Sequence, residues 1–278
     1  MAKADFTVRF WGVRGSIPCP GPETVRYGGN TSCLEIRCGD HLVVFDGGTG
    51  LRPLGRALDK SGKKADLDIF FSHTHHDHIG GLLFFSPCYA AGNQLRIWAG
   101  HLKPANKNIR EVLKTIMSPP LFPVPVDIFA AKIDFNDFSA GETLKPYPDV
   151  TLKTAPLNHP NGATGYRLEY EGKSVVYLTD VEHVPGESDP NVLRLMEGAD
   201  IAIYDCTYDG PEFDKHRGWG HSTWQEGLRL ADEAKVKQFV IFHHDPDHDD
   251  AFMDKIAAAA EKQRPGTVVA KEGMVLRP

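Results

Sequence analysis

The chain has no run of apolar residues approaching the ~20 that a bilayer-spanning helix needs. Its opening, Met1 to Phe10, alternates and carries one lysine, without the apolar core of an export signal. Cysteine is sparse: the five present (Cys19, Cys33, Cys38, Cys88, Cys206) are odd in number and nowhere stand as C-x-x-C. A disulfide framework and a structural thiolate–zinc site are therefore not expected, and a reducing cytoplasm is the expected compartment. Positive charge is also short, with 31 Lys and Arg against 37 Asp and Glu, a net charge of −6. Long nucleic acid is held by Lys and Arg that neutralise phosphates, so stable nucleic-acid binding is not expected. A small anionic substrate is compatible with an acidic chain if bound cations supply the local positive charge.

What is present reads as one globular unit over residues 1–278, long enough for a large core. Phe6, Val8 and Phe10 alternate as a half-buried strand does, then enter a Gly/Pro-rich loop from Gly12 to Gly29. Leu34–Arg37 and Leu42–Phe45 make a hairpin across Gly39-Asp40, and Leu51, Leu54 and Leu58 fit a short helix. The strand Leu67–Phe71 runs directly into Ser72-His73. An apolar, helical segment is expected from Gly80-Gly81, then a strand at Leu95–Ala99. Ile109, Val112, Leu113 and Ile116 lie at the spacing of an amphipathic helix that ends before Ser118-Pro119-Pro120. Residues 82–125 are read as a Pro-rich surface insertion over the site. In the second half, strands are expected at Val150–Ala155, Gly165–Tyr170, Ser174–Thr179, Ile201–Tyr204 and Val240–Phe242. Helices are expected near Asn191–Glu197, from a capping box at Ser222-Thr223-Trp224-Gln225, and over Asp249–Gln263. Two halves with strands first and helices interleaved suggest two sheets packed face to face with helices outside.

The chemistry is concentrated in His73-Thr74-His75-His76-Asp77-His78. Four imidazoles and a carboxylate in six residues suit zinc, iron or manganese, and packing alone does not explain them. On a tight loop His73 and His75 point one way, toward one ion, while Asp77 and His78 can turn to a second. Such a pair needs more ligands, and sites collect beyond the carboxyl ends of strands. His159, Asp180, Asp205 and His243 each follow an expected strand.

In this order and spacing, the residues from Phe45-Asp46-Gly47-Gly48 to His243 resemble the metallo-β-lactamase superfamily. That resemblance implies a four-layer αββα sandwich of two mixed sheets, with a dinuclear site in the cleft between them. It implies His73, His75 and His159 on one metal, Asp77, His78 and His243 on the other, and Asp180 bridging. The best-known lactam-cleaving subclass carries Cys where this chain has Asp180. Gly220-His221-Ser222-Thr223 and His159-Pro160…Gly165-Tyr166 are similar to motifs of the phosphodiesterase branch that includes ribonuclease Z. Tyr204-Asp205-Cys206-Thr207 stands where ribonuclease Z has His-Glu-Ala-Thr, so the carboxylate and Thr persist and the first His does not. Trp11-Gly12-Val13-Arg14-Gly15-Ser16 and Tyr27-Gly28-Gly29-Asn30-Thr31-Ser32 depart from ribonuclease Z and resemble bacterial hydrolases of this fold.

The expected enzyme is a dinuclear metal-dependent hydrolase with two divalent ions, zinc first, manganese or iron next. The resemblance implies a metal-bridging hydroxide as nucleophile. His221 then stabilises transition-state charge or protonates the leaving group, oriented by Asp205, and Asp77 counts with them among the catalytic groups as well as the ligands. A small or cyclic nucleotide-like phosphodiester is the expected substrate. The alternatives are a ribonuclease Z-like tRNA 3′ endonuclease and a lactone or thioester hydrolase of the same fold. A homodimer is compatible with this reading. Arg14, Arg26, Lys215 and Arg217 are expected at the rim of the cleft, and Trp219 as a surface for stacking a base. Asp46 is read either as holding a ligand histidine from behind or as an ordinary turn former. His248 is read as solvent-exposed, and His41, His101 and His216 as surface residues.

Overall fold

The computed structural model describes residues 5–278. Fourteen strands form two seven-stranded sheets. The first is built from β1 (Phe6–Gly12), β2 (Cys33–Cys38), β3 (His41–Phe45), β4 (Asp66–Phe71), β5 (Gln94–Ala99), β6 (Lys132–Asp137) and, beside β1, β14 (Val275–Leu276). The second runs β13 (Val268–Val269), β12 (Gln238–Phe242), β11 (Ile201–Asp205), β10 (Lys173–Leu178), β9 (Ala163–Tyr170), β8 (Val150–Leu157), β7 (Thr143–Tyr147). Each sheet is antiparallel at one side and parallel at the other: β3 to β6 are parallel, as are β10 to β13.

Side chains alternate between the faces of a strand, and this sorts the apolar residues into three layers. Val8, Phe10, Val43, Phe45 and Phe70 from the first sheet meet Val175, Tyr177, Ile203, Val240 and Phe242 from the second, forming the central core. On the outer face of the first sheet, Leu67, Ile69 and Ile97 pack against α1 (Leu51–Lys60) and α3 (Ile109–Ile116). The outer face of the second sheet, through Val176, Leu178, Phe239 and Ile241, packs against α4 (Pro190–Met196), α6 (Trp224–Glu233) and α7 (Asp250–Gln263). This is the αββα sandwich. Fully burying an aromatic such as Phe242 contributes about 1.5–3 kcal/mol.

Several local expectations change. Residues 82–125 are not an external insertion as a whole. Within them β5 pairs with β4 and β6 and buries Leu95, Ile97 and Ala99. The stretch after the histidines is one α-turn, α2 (His76–Ile79), followed by 3-10 turns at Gly80–Phe84 and Ser86–Tyr89. Helix α6 is capped by Thr223, whose hydroxyl accepts from the Glu226 amide, and not by Ser222. Strands β6 and β7 had no expectation; their half-exposed, charged alternation is a weak apolar signal.

Candidate metal centre and the acid beside it

Asp46, His73, His159, Asp180, Asp205 and His243 lie at or just past the carboxyl ends of β3, β4, β8, β10, β11 and β12. Parallel pairing of β3 with β4 and of β10, β11 and β12, with two antiparallel steps from β10 through β9 to β8, brings these ends to one edge of the sandwich. Three of them adopt left-handed backbone where the strand stops, Asp46 at φ 59°, Asp180 at 56° and His243 at 63°. Non-glycine residues in that region carry strain, which turns each chain sharply and aims the side chain inward.

After β4 the chain stays extended through His75, then α2 folds it back, with the His78 amide donating to the His75 carbonyl at 3.0 Å. The turn buries Asp77 and His78 and leaves His76 exposed. Ligand atoms of His73, His75 and His159 lie within 4.8 Å of one another, and so do those of Asp77, His78, Asp180 and His243. Asp180 faces both groups. Its Oδ1 is 3.6 Å from His73 Nε2 and 3.7 Å from His159 Nε2; its Oδ2 is 3.1 Å from His78 Nε2 and 3.2 Å from His243 Nε2. All seven residues expected as ligands are therefore brought together.

Three of the rings are held from behind. His78 Nδ1 donates to Asp46 Oδ2 at 2.8 Å, and Asp46 also accepts from Ser72 N, Ser72 Oγ and Tyr177 Oη. His159 Nδ1 donates to the Gly220 carbonyl at 2.8 Å. His243 Nδ1 lies 2.9 Å from Thr207 Oγ1, which is 2.8 Å from Asp205 Oδ1. These bonds leave the Nε2 lone pairs turned inward, as ligation requires. His73 Nε2 is buried without any hydrogen-bond partner. A buried lone pair facing other lone pairs and a carboxylate is satisfied by a cation, and imidazole and carboxylate donors without thiolate suit zinc, manganese or iron.

The electrostatics agree. Burial, then the neighbouring His78, holds His73 well below the usual histidine range, and burial likewise lowers His75 and His159. Burial opposes ionisation of Asp77 and Asp180, but the surrounding histidines hold both carboxyls below their usual range. His78 is the exception: burial opposes its charge, yet the carboxylates of Asp180, Asp77 and Asp46 together raise its pKa well above the ordinary range. The carboxylates thus collect positive charge at the centre.

His221 stands at the margin of this cluster. Its Nδ1 is 2.9 Å from Asp205 Oδ2 and 3.8 Å from Asp180 Oδ1. Burial disfavours the imidazolium, but the Asp205 carboxylate pushes its pKa up to about 9. Asp205 is itself fixed by Thr207, whose amide and hydroxyl both reach its Oδ1.

Other expectations move. Arg14 is not at the rim: it is fully buried, donating to the carbonyls of Gly28, Asp245 and His248, where it ties the opening loop to the segment after β12. Arg26 pairs with Asp254 and Arg217 with Asp214. His248 is buried, stacked on Phe252 and bonded to Glu212. His101 is buried behind Thr74. His41 stacks on Tyr147 and His216 on Tyr208. Trp219 is 62% exposed, edge-on to His216. Sequence reasoning missed Tyr177, which carries no local signal, and Ser16, whose amide donates to Asp77 Oδ2 at 2.8 Å. The neighbouring Gly15 was the available clue: a Cβ there would lie 2.3 Å from the His243 ring.

A family profile described as "Beta-lactamase superfamily domain" matches residues 41–244, most of the chain and all of the ligand cluster. The chain belongs to the metallo-β-lactamase superfamily, a family of metal-dependent hydrolases. It is 23% identical over 324 aligned residues to a ribonuclease Z of Parabacteroides distasonis, spanning 98% of this chain and 99% of that protein. Among solved structures, the human short-form tRNase Z superposes with a TM-score of 0.68 at 20% identity, covering 98% of each chain. A diphosphatase of the PhnP family gives 0.67 at 21%, covering 98% of this chain and 96% of the other.

Proposed function

We propose that this superfamily hydrolase is a phosphodiesterase and that its substrate is RNA of the kind ribonuclease Z processes. The observation that supports phosphodiester cleavage is the buried His221–Asp205 pair, 2.9 Å apart, at the edge of a cluster able to hold two cations. In this reading His73, His75 and His159 hold one divalent ion, Asp77, His78 and His243 the other, with Asp180 shared, and zinc is the first choice. Bound metal would supply Lewis acidity and a water of lowered pKa. The protein's own part is to orient and to move a proton. Asp205 holds the His221 ring through Nδ1, which leaves Nε2–H to be given to the departing oxygen. That oxygen, a ribose alkoxide in RNA, is a poor leaving group without a proton.

On substrate, the sequence favoured a small or cyclic nucleotide-like ester. The relatives reverse that order, since they are named ribonuclease Z and align over nearly the whole chain. The small-ester reading keeps one observation in its favour, the net charge of −6, with Arg14, Arg26 and Arg217 engaged internally. The test is to incubate metal-loaded protein with a 3′-extended tRNA precursor and, separately, with cyclic nucleotides, alkyl phosphodiesters, lactones and thioesters. Cleavage at the tRNA 3′ end supports the RNA reading. Turnover of the small esters alone restores the first expectation, and turnover only of lactones or thioesters removes both.

A further inference from the structure

The loop that presents His221 makes few attachments. Residues 214–219 are mostly exposed, and the chain becomes buried again only at Gly220. Apart from the His216 ring stacked on Tyr208 and the bond from His159 Nδ1 to the Gly220 carbonyl, the loop is held to the rest of the protein by one carboxylate. Glu182 accepts from the Gly218 amide, 2.8 Å from each of its oxygens, and from the Gly220 amide at 2.7 Å. The backbone of Glu182 is itself fixed, its amide donating to the Asn158 carbonyl and its carbonyl accepting from Asn158 Nδ2, both at 2.8 Å.

These bonds close a ring. Glu182 lies two residues after Asp180, and Asn158 immediately precedes His159. From the Glu182 carboxylate the path runs through Gly220, whose carbonyl receives His159 Nδ1–H, and back along Asn158 to Glu182. Only glycine fits at the closing point: Gly220 has φ +90°, and a Cβ there would stand 2.1 Å from His159 Nδ1. The backbone that fixes the His159 ring therefore also delivers the next residue, His221; Asp205 holds its ring, and the Glu182 carboxylate holds the backbone that leads into it.

We propose that Glu182 is a positioning residue that acts on the reaction through His221, by holding the Gly218–Gly220 amides so that the imidazole faces the departing oxygen. This rests on the reading of His221 as the proton donor. A charged acceptor facing amides makes stronger bonds than a neutral one, and a displacement of about 1 Å in a catalytic group can cost 10²-fold in rate.

The experiment is a double-mutant cycle with Glu182→Ala and His221→Ala, in protein saturated with metal, using phosphodiesters with nitrophenolate and with alkoxide leaving groups. Expected for Glu182→Ala is a loss in kcat of about 10²-fold on the alkoxide substrate and a much smaller one on the nitrophenyl ester. The loss should vanish in the His221→Ala background, because residues acting as one unit are not additive. Amide exchange at Gly218 and Gly220 should accelerate, a readout independent of turnover. Glu182→Gln, which keeps one acceptor oxygen, should recover part of the rate and serves if the alanine variant fails to fold. A Glu182 effect that persists undiminished without His221, or one equal for both leaving groups, would overturn the inference while leaving His221 as donor. A His221→Ala enzyme with unchanged rates would instead remove the donor reading, and the inference with it.

Discussion

Replacing Asp46 by Asn tests whether the site depends on what lies behind the ligands. The carboxylate is fully buried and accepts four hydrogen bonds: Ser72 N at 2.7 Å on Oδ1, and Ser72 Oγ, His78 Nδ1 and Tyr177 Oη, each at 2.8 Å, on Oδ2. An asparagine oxygen can keep the Ser72 amide, which puts its NH₂ where Oδ2 was. The two hydroxyls can rotate to accept from that NH₂, but the His78 Nδ1 proton cannot stay. His78 then shifts to the tautomer with its proton on Nε2, which withdraws the lone pair that faces Asp180. Loss of such a backing interaction costs roughly 10–100-fold in metal affinity, about 1.4–2.7 kcal/mol. Frustrated buried donors in the metal-free protein add about 1–3 kcal/mol, and each kcal/mol lowers Tm by about 2–4 °C in a chain of this size. Competition with a chromophoric chelator gives the affinity, and calorimetry of metal-free protein gives Tm. An Asp46→Asn variant that binds metal as tightly as the parent would refute the reasoning, because Asp46 would then not set the His78 tautomer.

Asp180→Ala should lose at least one metal ion and nearly all hydrolysis, since Asp180 is the residue facing both ligand groups; full metal content by elemental analysis, with activity retained, would remove its bridging assignment. Acidity should track His221. Its pKa, raised to about 9, keeps the ring protonated at neutral pH, so kcat on alkoxide substrates should hold below that pH and fall as the proton is lost above it. Asp205→Asn takes away the charge that raises this pKa and should move the alkaline limb to lower pH; an unmoved limb in the pH–rate profile means another group donates the proton.

The ligand set was legible because a strand delivering into His-x-His-x-Asp-His is a local pattern, and the remaining ligands each follow an apolar strand. Apolar spacing also placed α1 and α3 closely, and Ala-rich composition placed α7. Residues that act through tertiary contact were not legible. Tyr177 reads as an ordinary strand residue, and its bond to Asp46 joins positions 131 residues apart. Arg14 looked like a surface cation because burial of guanidinium is rare, and nothing local announces the three carbonyls that receive it. Glu182 carries no local signal, since its partners are backbone amides some 36 residues away. The error over 82–125 came from proline content outweighing the short apolar strand in its middle.

The left-handed backbone at Asp46, Asp180 and His243 sets main chain against side chain. For the backbone alone each of these positions would suit glycine better, by about 1–2 kcal/mol of relieved strain. Glycine would relax the turn while deleting the chemistry the turn exists to aim, and at Asp46 and His243 it would also strand the buried partners that now bond the side chain. The strained turns are thus held in place by the same contacts that orient the ligands, so a strand end cannot relax without the network behind the site coming apart.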